Sequence, residues 1–247
     1  MNNFNAMDAK NACVNWIKQW FENNGDGCNA VIGISSGKDS TVVAALCCEA
    51  LGRERVIGIK MPCGKQHDID DSNLVINFLG IKSFEINIKD SVDAVINQIA
   101  TNNIQISEQA SINLPARIRM ATLFAVAQCC NGRVSCNCNL SEDYIGYSTF
   151  GGDDFGSFAP LRNFTTDEVI AIGDACGLPY ELTHKIPSDG LCGKTDEDNF
   201  GFTYEVLNKY IRTGICEDEE VKAKIDRMHE KNLFKLMPMP VFEYKGD

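Results

Sequence analysis

The chain has 247 residues, with 23 Lys+Arg against 34 Asp+Glu and a formal net charge of −11. This length is enough to bury one complete α/β core, and we expect residues 1–247 to form a single domain. The acidic balance disfavours a surface for nucleic-acid phosphates, and no apolar run reaches the roughly 18–20 residues of a membrane span. We therefore predict small-molecule partners, with no nucleic acid and no membrane.

The N-terminal residues 1–16 lack the basic and apolar regions of a signal peptide, which predicts a cytoplasmic location. The 12 cysteines are then expected to be reduced thiols. Two adjacent pairs, Cys47–Cys48 and Cys129–Cys130, fall in helix-like segments and are expected to be small packing residues.

Strand-like and helix-like segments alternate along the first half of the chain. An amphipathic helix comes first and stops near Gly25; its apolar face consists of Cys13, Trp16, Ile17, Trp20 and Phe21. The segments that follow are a strand over 29–34, a helix over 40–51, a strand over 55–61, a helix over 68–80, a strand over 82–88 and a helix over 91–100.

The second half opens with a long helix over 115–130, in which Pro115 should occupy the favoured first position. A strand over 133–139 and a helix over 165–177 follow, the latter with Thr165 and Glu168 spaced as a capping box. The later predictions are a loop over 187–204, a short helix near 205–211 and a basic helix. This alternation predicts an α/β fold, a Rossmann-like doubly wound parallel sheet with helices on both faces.

The stretch VIGISSGKDST, residues 31–41, carries the strongest local signal. Ligands of open parallel sheets bind beyond the carboxyl ends of the strands, where residues 35–40 lie. Gly and Ser let the backbone turn its N–H groups inward, and a helix N-terminus adds partial positive charge, so the loop suits phosphate. It matches neither the Walker P-loop nor G-x-G-x-x-G. A plain turn capped by Ser40 would leave Lys38 and Asp39 unexplained.

The loop resembles the S-G-G-x-D-S loop of the ATP pyrophosphatases, with Ser36 where the second residue is normally Gly. Further segments are similar, in order, to motifs of the NAD synthetases. These segments are IKMPCGKQHDIDDS (59–72), NLPARIRM (113–120), CNCNLSEDYIGYSTFGGDD (136–154), PSDGL (187–191), GKTDEDNFGFTY (193–204) and FKLMP (234–238).

The resemblance implies an adenine nucleotide alpha hydrolase-like fold and the ATP-dependent amidation of deamido-NAD by ammonia. An acyl-adenylate would form, and NAD, AMP and pyrophosphate would be released. Asp39 and Glu142 would hold Mg²⁺ with the ATP phosphates, and Asp39 and Asp153 would be catalytic, with Asp153 where ammonia attacks. Because no glutaminase domain fits beside the synthetase, ammonia would be free or supplied by a separate subunit.

The resemblance also implies the binding residues. Those for ATP are Gly33, Ile34, Ser35, Ser36, Gly37, Lys38, Asp39, Ser40, Lys60, Gln66, Asn137, Thr166 and Ser188. Those for deamido-NAD are Arg117, Phe150, Asp153, Ser157, Phe234 and Lys235.

Several of these positions depart from the family pattern. Phe150 and Ser157 stand where ammonia-dependent enzymes have Lys and Asp, and Thr166 stands where a Lys contacts ATP phosphate. Lys38 or Lys194 is expected to supply the missing phosphate charge. The segment 147–161 instead resembles the synthetase part of the glutamine-dependent enzymes. A homodimer is also implied, with the helix over 115–130 at the contact.

Two other functions remain open on the sequence. A tRNA-thiolating ATP pyrophosphatase would use cysteines, for which Cys136 and Cys138 are the candidates. A nucleotide sensor would bind ATP without turnover. The acidic segment 195–198 fits either a solvated loop or an active-site lid, and the three histidines, His67, His184 and His229, have no metal-ligand spacing.

Overall fold

The computed structural model describes residues 4–35, 37–65, 69–184 and 195–245. Its strands are β1 (Asn29–Gly33), β2 (Val56–Lys60), β3 (Lys82–Glu85) and β4 (Gly132–Val134). Its helices are α1 (Ala6–Asn24), α2 (Lys38–Leu51), α3 (Ile69–Leu79), α4 (Lys89–Thr101), α5 (Glu108–Cys129), α6 (Leu140–Ile145), α7 (Thr166–Ala175), α8 (Tyr180–Thr183), α9 (Asp196–Phe200), α10 (Tyr204–Thr213) and α11 (Glu219–Asn232).

Within the described residues, the strands form one parallel sheet in the order β3-β2-β1-β4. Alternate residues of β1 enter different cores, as a strand buried on both faces requires. Ala30 and Ile32 pack in a cluster with residues of α1, α2 and α7, whereas Val31 packs in a second cluster with residues of α4 and α5. The predicted parallel sheet with helices on both faces is therefore confirmed.

A third apolar cluster lies beyond the sheet and joins α6 to the C-terminal helices. Its buried residues are Ile145, Phe200, Phe202, Tyr204, Leu207 and Ile225. The cluster holds the C-terminal helices against α6, which directly follows the β4 segment and therefore lies near the carboxyl ends of the strands. Within the described ranges, no helix combines the length and the hydropathy needed to cross a bilayer.

Two predicted boundaries are wrong. The long helix begins at Glu108, where the Ser107 hydroxyl accepts a hydrogen bond from the Ala110 N–H, so Pro115 lies inside the helix and not at its first position. The strand predicted over 133–139 ends at Val134, because the chain beyond it pairs with the segment near Phe158 through an isolated bridge at Ser135.

The loop predicted over 187–204 is also partly wrong. Residues 185–194 lie outside the described residues, but the remainder contains α9. Thr195 and Asp198 form a capping box at the N-terminus of this helix. The acidic segment 195–198 therefore forms the N-cap and first turn of a helix, where the helix dipole stabilises negative side chains.

Candidate active site

The loop between β1 and α2 is a tight turn held by its own hydroxyl groups. The Ser35 hydroxyl accepts a hydrogen bond from the Gly37 N–H at 3.3 Å, and the Ser40 hydroxyl donates to the Gly37 carbonyl at 3.0 Å. Gly33 and Ile34 lead into it from the end of β1, where the Ile34 N–H donates to the Ile59 carbonyl. The N-terminus of α2 therefore opens at the carboxyl edge of the sheet, as phosphate binding requires.

Lys38 and Asp39 form a close pair in the first turn of α2. The Lys38 Nζ lies 3.0 Å from Asp39 Oδ2, and only 4% of Lys38 is exposed. Burial by itself lowers the pKa of Lys38, but Asp39, Glu142 and Asp196 outweigh that effect and raise it. The loop therefore holds a permanent positive charge beside a carboxylate.

Asn139 joins Asp39 to the start of α6. Its side-chain amide donates to Asp39 Oδ1 at 3.0 Å, and its side-chain oxygen accepts from the Glu142 N–H at 3.1 Å. One residue thus caps a helix and orients a carboxylate that belongs to another element. Ser35, Lys38, Asp39, Asn139 and Glu142 are called the nucleotide side below.

Glu142 lies in the first turn of α6, close to Asp39. Burial and the nearby Asp39 charge raise the pKa of Glu142 well above its usual value, and Lys38 opposes this only in part. A carboxylate whose charge is disfavoured by a neighbouring carboxylate in this way is suited to a cation between the two. Their hard oxygen ligands are of the type that Mg²⁺ binds, usually together with phosphate oxygens and water.

Among the described residues, no group of three or more His, Cys, Asp or Glu is arranged to hold a metal ion. Asp39 and Glu142 alone therefore fit a Mg²⁺ whose other ligands come from a nucleotide, and they do not fit an all-protein site.

A second group of predicted residues gathers around the segment after α6. The Arg117 Nε donates to the Phe150 carbonyl at 3.1 Å, and the Phe150 and Phe234 rings lie 5.6 Å apart between centroids. Lys235 donates to the carbonyls of Gly146 and Ser148 at 2.8 and 2.9 Å. Arg117, Phe150, Asp153, Phe234 and Lys235 are called the substrate side below.

Asp153 lies in the turn that follows α6 and Gly152. Its Oδ1 accepts a hydrogen bond from the Thr149 N–H at 3.0 Å. Its side chain reaches solvent, yet the surrounding protein raises the pKa of its carboxyl through burial, and backbone hydrogen bonds from Thr149 and Asp153 itself reduce that shift. Asp153 is thus an exposed residue whose carboxyl is less acidic than that of an ordinary aspartate.

Four other residues that were predicted for the site make contacts that differ from one another. Asn137 donates to the Gly33 carbonyl at 3.2 Å and so lies at the end of β1. Lys60 instead bonds Asn73 and Glu85 at the edge of the sheet. Ser157 pairs with the backbone of Val134. Thr166 is 5% exposed, and its hydroxyl has no hydrogen-bond partner among the described residues.

Four predicted positions, Ser36, Gln66, Ser188 and Lys194, lie outside the described residues, as does His67. His184 and His229 stack on Tyr180 and Tyr144, respectively.

Sequence reasoning missed three residues of the nucleotide side's surroundings. Asn139 was visible only as the Asn three residues before Glu142. Tyr204 is buried with its ring 5.9 Å from the Lys38 Nζ, and its hydroxyl donates to Asp196 at 3.3 Å. Tyr204 and Asp196 both lie in the motif segment 193–204, but their contacts cross between α2 and the C-terminal helices, so the motif did not indicate what they contact.

A phosphate-type loop, a pair of carboxylates and a parallel sheet with both faces covered are the features of an α/β nucleotide-binding protein. The family model for NAD synthase matches residues 9–243, and the chain belongs to this family.

Several known proteins are similar over most of the chain. An NH(3)-dependent NAD(+) synthetase from Finegoldia magna is 34% identical, covering 89% of this chain and 90% of the relative. One from Pyrococcus furiosus is 37% identical, covering 73% and 70%. The solved structure of NMN synthetase from Francisella tularensis has a TM-score of 0.89 at 27% identity and covers 98% of this chain and 100% of its own.

Proposed function

We propose that this chain is an ammonia-dependent NAD(+) synthetase, a ligase that forms the amide bond of NAD from deamido-NAD and ammonia at the expense of ATP. The observation that carries the proposal is the Asn139 bridge, which holds Asp39 beside Glu142 at the end of β1. Family membership and the identities to NH(3)-dependent synthetases support the same reaction.

The first half-reaction activates a carboxylate, which is a poor acyl donor. The nicotinate carboxylate attacks the α-phosphate of ATP, an acyl-adenylate forms and pyrophosphate leaves. The N–H groups of the β1–α2 loop and the Lys38 ammonium neutralise phosphate charge, while Asp39 and Glu142 would hold Mg²⁺. Mg²⁺ supplies charge neutralisation on the phosphate oxygens.

The second half-reaction replaces AMP with ammonia. Asp153 is exposed beside the segment that carries Phe150, and the raised pKa of its carboxyl makes it a better proton acceptor than an ordinary aspartate. Asp153 therefore orients the incoming ammonia and accepts its proton as the C–N bond forms. The C–O bond of the acyl-adenylate breaks in the same step, and AMP leaves with the oxygen that the nicotinate carboxylate contributed.

The test is incubation of the purified chain with ATP, Mg²⁺, deamido-NAD and ammonium chloride. We expect equimolar NAD, AMP and pyrophosphate, with no NAD when glutamine replaces ammonium, because the match to the NAD synthase family fills residues 9–243 and leaves no room among them for a glutaminase. Glutamine serving as well as ammonium would contradict the nitrogen source. AMP release would exclude the sensor, and thiolation of tRNA without any NAD would favour the tRNA-modifying alternative.

A second candidate substrate is a nicotinate mononucleotide, which the likeness to an NMN synthetase favours. The chemistry at the carboxylate would be the same, and only the distal half of the dinucleotide would be missing. Measuring kcat/KM for both acids in one assay separates the two: a higher value for the mononucleotide would assign NMN synthesis.

We also propose a cytoplasmic homodimer. An open groove of about 400 Å³ lies between β3 and α5, with an apolar lining that includes Phe84, Ile86, Val126 and Cys129. Met120 and Leu123 are already buried in the core of one chain, so the groove and the exposed Ile112, and not those two residues, are the available apolar surface on this helix. Light scattering at working concentration checks this, and a fully active monomer would contradict it.

A further inference from the structure

The turn that carries Asp153 is held through its buried neighbour, Asp154. Asp153 is exposed, whereas Asp154 is 8% exposed. The Asp154 carboxylate accepts a hydrogen bond from the Gly151 N–H at 2.8 Å, and the Asp154 carbonyl accepts one from the Arg162 guanidinium, also at 2.8 Å. The residue next to the proposed base is therefore fixed at both its side chain and its backbone.

Arg162 is held in turn by a buried carboxylate of α6. The Arg162 Nε donates to Asp143 Oδ2 at 2.7 Å, and the Asp143 side chain is 2% exposed. The other oxygen, Oδ1, has no hydrogen-bond partner among the described residues, so the ion pair with Arg162 supplies the stabilisation that a buried carboxylate needs. One guanidinium thus joins α6 to the turn with the fixed geometry of its fork of donors.

The backbone from which Arg162 extends is fixed to α6 as well. Leu161 is fully buried, and the Phe164 carbonyl accepts a hydrogen bond from the Leu140 N–H at 2.8 Å. Arg162 therefore has little freedom at its base, and its guanidinium is held at its tip by the ion pair with α6. The position of the turn relative to α6 follows from this one side chain.

The other contacts on this part of the turn are weaker. The Cys136 and Cys138 thiols lie 3.5 and 3.2 Å from the Asp153 carbonyl oxygen, but a thiol is a weak hydrogen-bond donor. A hydrogen bond from a charged donor is roughly twice as strong as a neutral one. Among the described residues, Arg162 therefore makes the strongest contact that the backbone of residues 153–154 receives from outside the turn.

We propose that Arg162, held by the buried Asp143, is a positioning residue for amide formation: it fixes the turn so that the Asp153 carboxyl meets the incoming ammonia. This role rests on the proposed function. Arg162 acts through Asp153 and is not itself a catalytic residue. Its loss should therefore slow the step in which Asp153 takes part and leave the activation of the carboxylate by ATP intact.

Arg162→Met removes the guanidinium and is the first test. We expect amide formation to slow by about 10- to 100-fold, since a misplacement of about 1 Å can cost roughly 100-fold, while the acyl-adenylate forms at nearly the native rate and the KM for ATP is unchanged. The slowing should not exceed that of Asp153→Asn, because displacing a base costs no more than removing it. Rapid quenching measures both steps.

The substitution also leaves the Asp143 carboxylate buried without its partner, which can destabilise the whole chain. The double variant D143N/R162M removes this charge together with the guanidinium. It should fold even where the single variant does not, and it should show the same selective slowing of amide formation.

A double-mutant cycle separates positioning from a merely structural role. If Arg162 acts through Asp153, then D143N/R162M should slow amide formation by less than about twofold in a chain that already carries Asp153→Asn. A general structural defect would act independently of Asp153, and the two effects would then multiply.

Arg212 provides a matched control. It also joins a carboxylate, that of Glu168, to a backbone carbonyl, that of Asn163. Its side chain is 40% exposed, against 39% for Arg162. Arg212→Met therefore removes the same group from the same kind of bridge without touching the turn, and amide formation should stay within about twofold of the native rate.

Hydrogen exchange reports on the turn without any reference to activity. The N–H groups of Thr149, Gly151, Gly152 and Phe155 donate hydrogen bonds within it. Their exchange should accelerate by about tenfold or more in D143N/R162M, the effect expected for the loss of a hydrogen bond from a charged donor. It should stay at the native rate in Arg212→Met.

Three results would overturn the proposal. These are equal slowing of adenylate and amide formation in D143N/R162M, slowing that multiplies with that of Asp153→Asn, and exchange in the turn that stays at the native rate. If the native chain makes no NAD at all, the proposed function fails, and the exchange measurement still decides whether Arg162 fixes the turn.

Discussion

The nucleotide side and the substrate side differ in how their functional groups are held. On the nucleotide side, Lys38 is 4% exposed and Asp39 is fixed by a lysine and an asparagine. On the substrate side, Phe150 and Phe234 are 50% and 61% exposed, and their rings contact each other. The difference indicates a preorganised charge site, which electrostatic catalysis needs, beside an open aromatic surface suited to a ligand ring.

The largest loss should follow removal of a carboxylate from the nucleotide side. Asp39→Ala and Glu142→Ala should each lower kcat by about 10³-fold or more, because charge stabilisation in the transition state is lost. Pyrophosphate release is the measurement. Asp93→Ala is the matched control, because that carboxylate only pairs with Lys89 on an exposed face of α4, and near-native rates in either active-site variant would contradict the assignment.

Asp153→Asn tests the chemistry on the substrate side. We expect amide formation to slow by about 10²-fold, as for loss of a general base, while the acyl-adenylate forms at nearly the native rate. Rapid quenching separates the two steps. In the native chain the ammonia rate should also rise with pH, since only unprotonated ammonia is nucleophilic. Equal slowing of both steps would mean that Asp153 does not act on the nitrogen.

Asn139→Ala tests whether the nucleotide side depends on the hydrogen bonds by which Asn139 joins Asp39 to α6. The variant should raise the Mg²⁺ concentration needed for half-maximal activity by about 10- to 150-fold, because a lost hydrogen bond to a charged group costs about 1.5–3 kcal/mol. Asn139→Asp keeps the helix cap and adds a charge next to Asp39, so it separates capping from orientation. An unchanged magnesium dependence in the alanine variant would contradict the bridging role.

Phe150→Ala and Phe234→Ala should have a smaller effect, confined to the substrate side. We expect the KM for deamido-NAD to rise by about three- to tenfold, consistent with roughly 0.5–1.5 kcal/mol for an aromatic pair, and the KM for ATP to stay the same. Leucine at the same positions keeps much of the apolar surface and controls for shape. A parallel rise in the KM for ATP would show that the two sides are not separate.

The smallest effect concerns stability. The folded pKa of Glu142 lies above its unfolded value, so its charge destabilises the fold at neutral pH, and that penalty disappears as pH falls below the unfolded pKa. Without nucleotide, Glu142→Gln should therefore melt a few degrees higher than the native chain near pH 7, with the difference shrinking towards pH 4. Thermal unfolding across this range is the measurement, and a pH-independent difference would contradict it.

The sheet and its first loop could be predicted because their signals are local. An apolar strand, a Ser-Gly turn and a helix succeed one another within residues 29–51, and the structure follows that order. The interior position of Pro115 could not be predicted, since packing of Met120, Leu123 and Ala127 against the sheet outweighs the cost of a proline within a helix. Tertiary contacts, and not the intrinsic helix propensity of the residues, therefore decide where α5 begins.

The site was predictable to the extent that its residues lie in motifs. Asp39 and Glu142 follow the ends of β1 and β4, and parallel strands bring such ends together. Tyr204 and Asp196 lie in the motif segment 193–204, but they approach Lys38 only through the packing of the C-terminal helices, so the sequence did not indicate that contact. Cys136 and Cys138 form a C-x-C pair in the sequence, but only the structure shows that both sulfurs lie next to the Asp153 carbonyl oxygen.

The double role of Asn139 ties two equilibria together. Its side chain both closes the first turn of α6 and restrains Asp39, so fraying of that helix end and release of the carboxylate are a single opening event. Linkage is reciprocal: any ion or nucleotide that binds more tightly when Asn139 holds Asp39 must make fraying of α6 less favourable by the same free energy. The free energy of fraying of the short helix α6 should therefore report whether a nucleotide is bound.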